Sequence, residues 1–129
     1  MTPELTVLVL AALLQMAQIV LYSALANRQV NLDYALGPRD APRQLTGMAG
    51  RAQRAMNNHF EGLILFAIAA LALHTTGQSS RLTAVCAAVY LAARLLYVPA
   101  YLLALAPWRS VVWAVGWFAT AIMLVAALI

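Results

Sequence analysis

The sequence predicts an all-α membrane protein, a bundle of four transmembrane helices, on three observations. The first is composition. Of 129 residues, 64% are hydrophobic and 9% are charged, with a mean hydropathy of +0.82, whereas an ordinary soluble domain is about 25% charged. That balance excludes a soluble globular protein and a disordered one. The second is the length of the uncharged runs. Between Glu4 and Arg28 lie 23 residues, between Glu61 and Arg81 lie 19, and 20 follow Arg109; only Arg94 interrupts the stretch from Arg81 to Arg109. A span needs roughly 20 mostly apolar residues. The third is that helix breakers gather between these runs. Backbone groups inside lipid must be satisfied within their own segment, so the runs read as helices.

Each element follows in order. The whole chain, residues 1–129, reads as one domain with helices over 4–27, 52–75, 80–104 and 107–129. The first run carries Ala24-Leu25-Ala26, an imitation of a signal-peptide cleavage site, but it begins Met1-Thr2-Pro3-Glu4, with an acid and no base, so it is read as a retained helix. Residues 28–51 form the one long loop and hold Gly37, Pro38, Pro42, Gly47 and Gly50 as breakers. The second connection, Thr75 to Ser80, is a tight turn built on Gly77. The third lies at Ala106-Pro107, with Pro107 suited to the first turn of the fourth helix. Pro99 falls inside the third helix and is expected to kink it.

The chain has eight arginines, no lysine and four acids, a net charge of +4 and a pI of 9.8. A basic chain often binds nucleic acid. Here there is no basic run and little soluble surface, so no nucleic-acid partner is expected. The arginines instead set topology or line a polar site. The long loop and the 106–109 turn share one side of the membrane, which carries Arg28, Arg39, Arg43, Arg51, Arg54 and Arg109 against Asp33 and Asp40. The excess of positive charge puts the long loop in the cytoplasm and both termini on the opposite side, with Glu4 and Arg81. Alanine-rich, lysine-free composition points to a bacterial inner membrane. Cys86, the single cysteine, allows no internal disulfide and reads as a small core residue. Trp113 and Trp117 lie too deep for an interfacial belt and read as packing residues, while Trp108 belongs at the interface.

Ionisable residues inside spans are costly and usually face the bundle interior. Here they recur at helical spacing. Arg51, Arg54, Asn58 and Glu61 share one face of the second helix; Tyr90, Arg94, Tyr97 and Tyr101 share one face of the third; Gln15, Gln18 and Tyr22 share one face of the first. Three polar stripes point to one shared pocket. A structural reading stands beside the functional one: Glu61 and Arg94 would neutralise each other between helices, with Asn58 and the glutamines as interhelical glue. That leaves unexplained why further arginines and tyrosines crowd the same end, where unpaired cations favour an anion. His59, one position off the Asn58 face, reads as a neighbour contact rather than a base. Asn57 either donates to a ligand or caps the polar end. No phosphate loop, zinc spacing or Ser-His-Asp order is present.

Three motifs in order resemble the MAPEG family, the membrane-associated proteins of eicosanoid and glutathione metabolism: Arg54-Ala55-x-x-Asn58-x-x-Glu61, Tyr90-x-x-x-Arg94-x-x-Tyr97-x-x-x-Tyr101, and Ala106-Pro107-x-Arg109-Ser110. The resemblance implies a homotrimer that binds glutathione as cosubstrate between adjacent subunits, near the cytoplasmic side. By motif position, Arg51, Arg54 and Asn58 hold the tripeptide, Glu61 meets its ammonium end and pairs with Arg94, and Tyr97 and Tyr101 line it. Arg109 is the catalytic residue that stabilises the thiolate, with Ser110 beside it. Trp113 stands where relatives carry a tyrosine. Asn31 is the nearest match to a loop arginine of the family, with Arg28 as its substitute. The resulting expectation is a glutathione transferase or peroxidase acting on a lipophilic electrophile or hydroperoxide that arrives through membrane lipid. The competing readings are a non-catalytic scaffold of the same fold and a small multidrug transporter. The transporter would need an acid within the first helix, where only Glu4 at the edge is available.

Overall fold

The computed structural model describes residues 1–40 and 43–129, leaving out the Ala41-Pro42 stretch of the long loop. Among the described residues five helices follow in order: α1 Pro3–Ala26, α2 Leu32–Leu36, α3 Gly47–Thr76, α4 Arg81–Leu102 and α5 Trp108–Ala126. Among the described residues there is no strand. All but α2 are long and apolar enough to cross a membrane.

The helix ends follow from local chemistry. Thr2 caps α1 by accepting from the Leu5 amide, Pro3 occupies the first turn, and Glu4 adds negative charge where the helix dipole is positive. Ser80 and Thr83 form a reciprocal capping box at the start of α4. Gly77 closes α3 in the left-handed conformation, φ 68°. Its amide bonds the His74 carbonyl and the Gln78 amide bonds that of Leu73, the paired bonds of a Schellman close.

Two elements differ from the sequence reading. The long loop contains α2, capped by the Asn31 side chain, which accepts from the Tyr34 amide at 2.7 Å. And α3 starts at Gly47, five residues before the expected 52, because Gly50 is no breaker. A Cβ at Gly50 would stand 2.8 Å from the Leu45 carbonyl oxygen, so glycine lets the helix start pass close to the incoming chain. With 30 residues, α3 is about 45 Å long at 1.5 Å per residue, while a hydrocarbon core is about 30 Å thick.

The helices pack with α3 and α4 in the middle. Helix α1 packs against both, α5 packs against both from the other side, and α1 and α5 make no contact with each other. Small residues let the backbones approach: Ala11, Ala69, Ala70 and Ala87 are wholly buried. Phe66 of α3 and Tyr90 of α4 stack at 4.1 Å between ring centroids. Large apolar side chains such as Leu13, Ile64, Leu96 and Phe118 stay exposed on the outer faces, as lipid contact allows.

Glu4 lies in the first turn of α1, at the edge of the span as expected, and is fully buried there, with its Oε1 accepting from the Thr83 hydroxyl of α4 and its Oε2 without a partner. The two residues tie α1 to α4 at the end away from the long loop.

Candidate functional site

At the long-loop end, three elements converge: the first turns of α3, the last turns of α4 and the first turn of α5. Arg51 lies one turn into α3, and its Nε donates to the Leu102 carbonyl at 2.8 Å. That carbonyl belongs to the last turn of α4, where no amide follows to satisfy it and the dipole is negative, so a cation is favoured there. One turn on, Arg54 donates through Nε to the Tyr101 hydroxyl at 3.0 Å. The Tyr101 ring also faces the Arg109 guanidinium, 4.7 Å from its centroid, and tilts against Tyr97 at 5.5 Å. Tyr101 is thus the hub that holds two arginines, one by its oxygen and one by its ring.

Arg109 reaches this hub because the α4–α5 turn folds it back. Helix α4 ends three residues after Pro99. Ala104 takes a left-handed conformation at φ 54°, and Pro107 precedes α5 as its cap residue rather than within its first turn. The Arg109 amide then bonds the Leu105 carbonyl at 3.0 Å, which closes the turn.

Two adjoining cavities result. One, of about 300 Å³, is lined by Arg51, Arg54, Tyr101, Ala104, Ala106 and Arg109. The other, of about 210 Å³, is lined by Asn58, Tyr97, Arg109, Ser110 and Trp113. Arg109 is the residue they share. Three guanidinium groups meet in the first cavity with no carboxylate in its lining, so the cleft as a whole favours an anion.

Seven of the predicted site residues gather here: Arg51, Arg54, Asn58, Tyr97, Tyr101, Arg109 and Ser110. Two do not. Arg94 is 3% exposed and lies behind the cleft wall. Its Nε donates to His59 Nδ1 at 3.2 Å and its Nη1 to Asn58 Oδ1 at 3.0 Å, while its guanidinium lies 4.5 Å from the centroid of the Tyr97 ring. Glu61 is exposed, and the expected Glu61–Arg94 pair is not formed. The helical stripe put both residues on facing surfaces. It could not show that His59 and Asn58, nearer the Arg94 side chain, take up its donors first. Arg28 and Asn31 lie outside both cavities, and Asn31 is occupied in capping α2.

His59 is the residue that the stripe undervalued. It is fully buried, with Nε2 2.9 Å from the Ala11 carbonyl oxygen of α1. Its signal lay in a different pattern: Ala52, Ala55, His59, Phe66, Ala70 and Leu73 recur at heptad-like intervals and are all buried. That stripe is the packing face of α3, and His59 is its one ionisable member.

A third cavity, of about 90 Å³, also borders Trp113; its lining is mainly apolar and includes Gly62, Gly116 and Trp117, with Tyr90 and Arg94 of α4 as its polar members beside Thr120. Trp113 borders both it and the polar cleft. Four spanning helices, an arginine-rich cleft at one end and an apolar cavity beside it meet the comparison with known families at this point. The model of the MAPEG family matches residues 4–129. The chain belongs to the MAPEG family. No curated protein matches it. MAPEG membership fits a membrane protein of glutathione-related or lipid metabolism, and an enzyme role is in keeping with it. The match covers nearly all of the chain, so the cleft lies within the family's own framework and not in an added segment.

Proposed function

We propose that this protein is a glutathione-dependent membrane transferase or peroxidase. The observation that supports the reading is the place of Arg109, shared between an arginine-lined cavity and the Asn58–Tyr97–Ser110 cavity. Glutathione carries two carboxylates, an ammonium group and a thiol. Arg51 and Arg54 offer guanidinium donors to the carboxylates, Asn58 meets the peptide, and Tyr97 and Tyr101 line it. Glu61, not engaged by Arg94, leaves its carboxylate for the ammonium group. In this arrangement Arg94 supports Asn58 and Tyr97 from behind and does not touch the ligand.

Arg109 then faces the sulfur, with Ser110 beside it. The thiol proton is lost to solvent, and the guanidinium stabilises the thiolate, which is the nucleophile. The sulfur forms a bond to the electrophilic carbon of a lipophilic acceptor, and the leaving group departs with the electron pair of its own bond. With a hydroperoxide, the thiolate sulfur attacks the outer oxygen to form a sulfenic acid, the O–O bond breaks with its electron pair on the departing alkoxide, which takes a proton from solvent to give the alcohol, and the thiol of a second glutathione displaces water from the sulfenic acid to form the disulfide. The acceptor arrives from the bilayer. The working unit is a homotrimer, with glutathione between adjacent subunits and the long loop in the cytoplasm, as the family resemblance implies.

The test is titration of the detergent-purified protein with glutathione while thiolate absorbance is followed at neutral pH. Saturable thiolate formation that disappears in Arg109→Ala supports the enzyme. Binding without thiolate overturns the catalytic role of Arg109, and no binding leaves a non-catalytic scaffold of the same fold.

A further inference from the structure

We propose that His59 is a positioning residue, which through Arg94 locks the Asn58 amide so that its NH₂ faces the cleft and selects a hydrogen-bond acceptor on the ligand. The proposal rests on the glutathione reading only for the identity of that ligand.

A guanidinium can donate and cannot accept. Each atom that faces an Arg94 N–H must therefore be an acceptor. At His59 this is Nδ1, at 3.2 Å from Arg94 Nε. The imidazole must then carry its hydrogen on Nε2, and Nε2 faces the Ala11 carbonyl at 2.9 Å, a group that can only accept. Two independent contacts, one from α4 and one from α1, demand the same neutral tautomer. The same logic settles Asn58. Its Oδ1 receives Arg94 Nη1 at 3.0 Å, so its NH₂ is turned away from Arg94. Asn58 also lines the cavity with Tyr97, Arg109 and Ser110, and the amide donors are what it has left to offer there. The order Ala11–His59–Arg94–Asn58 runs from the α1 backbone through α3 and α4 and back to α3.

The buried guanidinium would otherwise be loose. Nη2 has no hydrogen-bond partner, and apart from His59 the guanidinium meets Asn58 Oδ1, the group it orients, and the Tyr97 ring under its face. Through Arg94, His59 therefore fixes the Asn58 amide in the wall of the cleft. The ligand group that meets Asn58 is a carbonyl or carboxylate oxygen, and an ammonium group is refused there.

The test has two arms. The first needs no ligand: nitrogen NMR of the ¹⁵N-histidine-labelled protein in detergent at neutral pH. The expected result is His59 with bare Nδ1 and protonated Nε2; a proton on Nδ1 overturns the proposal. The second is a double-mutant cycle read by glutathione binding. His59→Leu is expected to weaken binding by about tenfold to a hundredfold, the loss that goes with a misplaced hydrogen bond in a buried charged network. His59→Asn, which keeps an acceptor near the Nδ1 position, restores binding toward the parent value. In the Asn58→Ala background, His59→Leu should change binding by less than about twofold, the tolerance for effects that share one route. Losses that multiply, or a His59→Leu protein that binds as the parent does, overturn it. A residue that served only to hold α1 would lower the melting temperature equally in the Leu and Asn variants and leave binding by the folded protein unchanged. If the parent itself does not bind glutathione, the functional reading fails and the NMR arm alone decides the role of His59.

Discussion

Where Ser80 begins α4, a carboxylate is fully buried and meets one hydroxyl, Glu4 on Thr83. Where α4 ends, Arg51, Arg54 and Arg109 line an open cavity that has no acid in its lining. Both ends place ionisable groups in a membrane protein, at a cost that needs compensation. At the first end the polar contact lies between two helices, with one carboxylate oxygen buried and unpartnered, and it positions α1 on α4. At the second, donors remain after the internal bonds are made, so that end is fitted to receive something. Charge inside a bundle is thus not by itself a sign of function; what separates the two ends is whether donors are left over and open to a cavity.

The sharpest way to break the comparison is Arg109→Ala. Turnover is expected to fall by roughly a hundredfold to a thousandfold, the scale for losing a charge that stabilises a developing anion, while glutathione binding changes little. Steady-state rates and calorimetry on the same preparation check this, and equal turnover would remove Arg109 from the chemistry. Next is Arg54→Ala, which removes a charged donor and frees Tyr101. Glutathione affinity should drop by about tenfold to a hundredfold, measured by calorimetry, with the melting temperature nearly unchanged. At the opposite end the pattern should invert. Thr83→Val leaves Glu4 without its donor and should cost about 1–3 kcal/mol of stability while glutathione affinity stays at the parent value. A thermal or denaturant midpoint in detergent tests it, and a loss of affinity in this variant would erase the distinction between the ends. The smallest effect is expected at Gly62, between the two. A Cβ there meets only the Tyr90 hydroxyl, at 3.8 Å. Gly62→Ala should be neutral or stabilising by about 0.5–1 kcal/mol, the helix-propensity gain of alanine over glycine, again read from the midpoint.

The sequence alone determined the four spans, the loop that separates the first two, and the faces on which polar residues lie. These follow from hydropathy and from the 3.6-residue period, both properties of a single segment. It also carried the three motifs of the family, since these are local spacings. Only the tertiary structure decided which atoms meet. Arg94 turned to His59 and Asn58 instead of Glu61 because a long side chain is satisfied by the nearest acceptors across the helix interface, and periodicity gives a face but no reach. Gly50 proved to be a point of close approach and not a break, because the Leu45 carbonyl that requires it comes from the preceding chain. Glu4, at the edge of its span, is buried there because α4 supplies Thr83 opposite it. In each case the deciding partner lay outside the helical segment in which the residue was read.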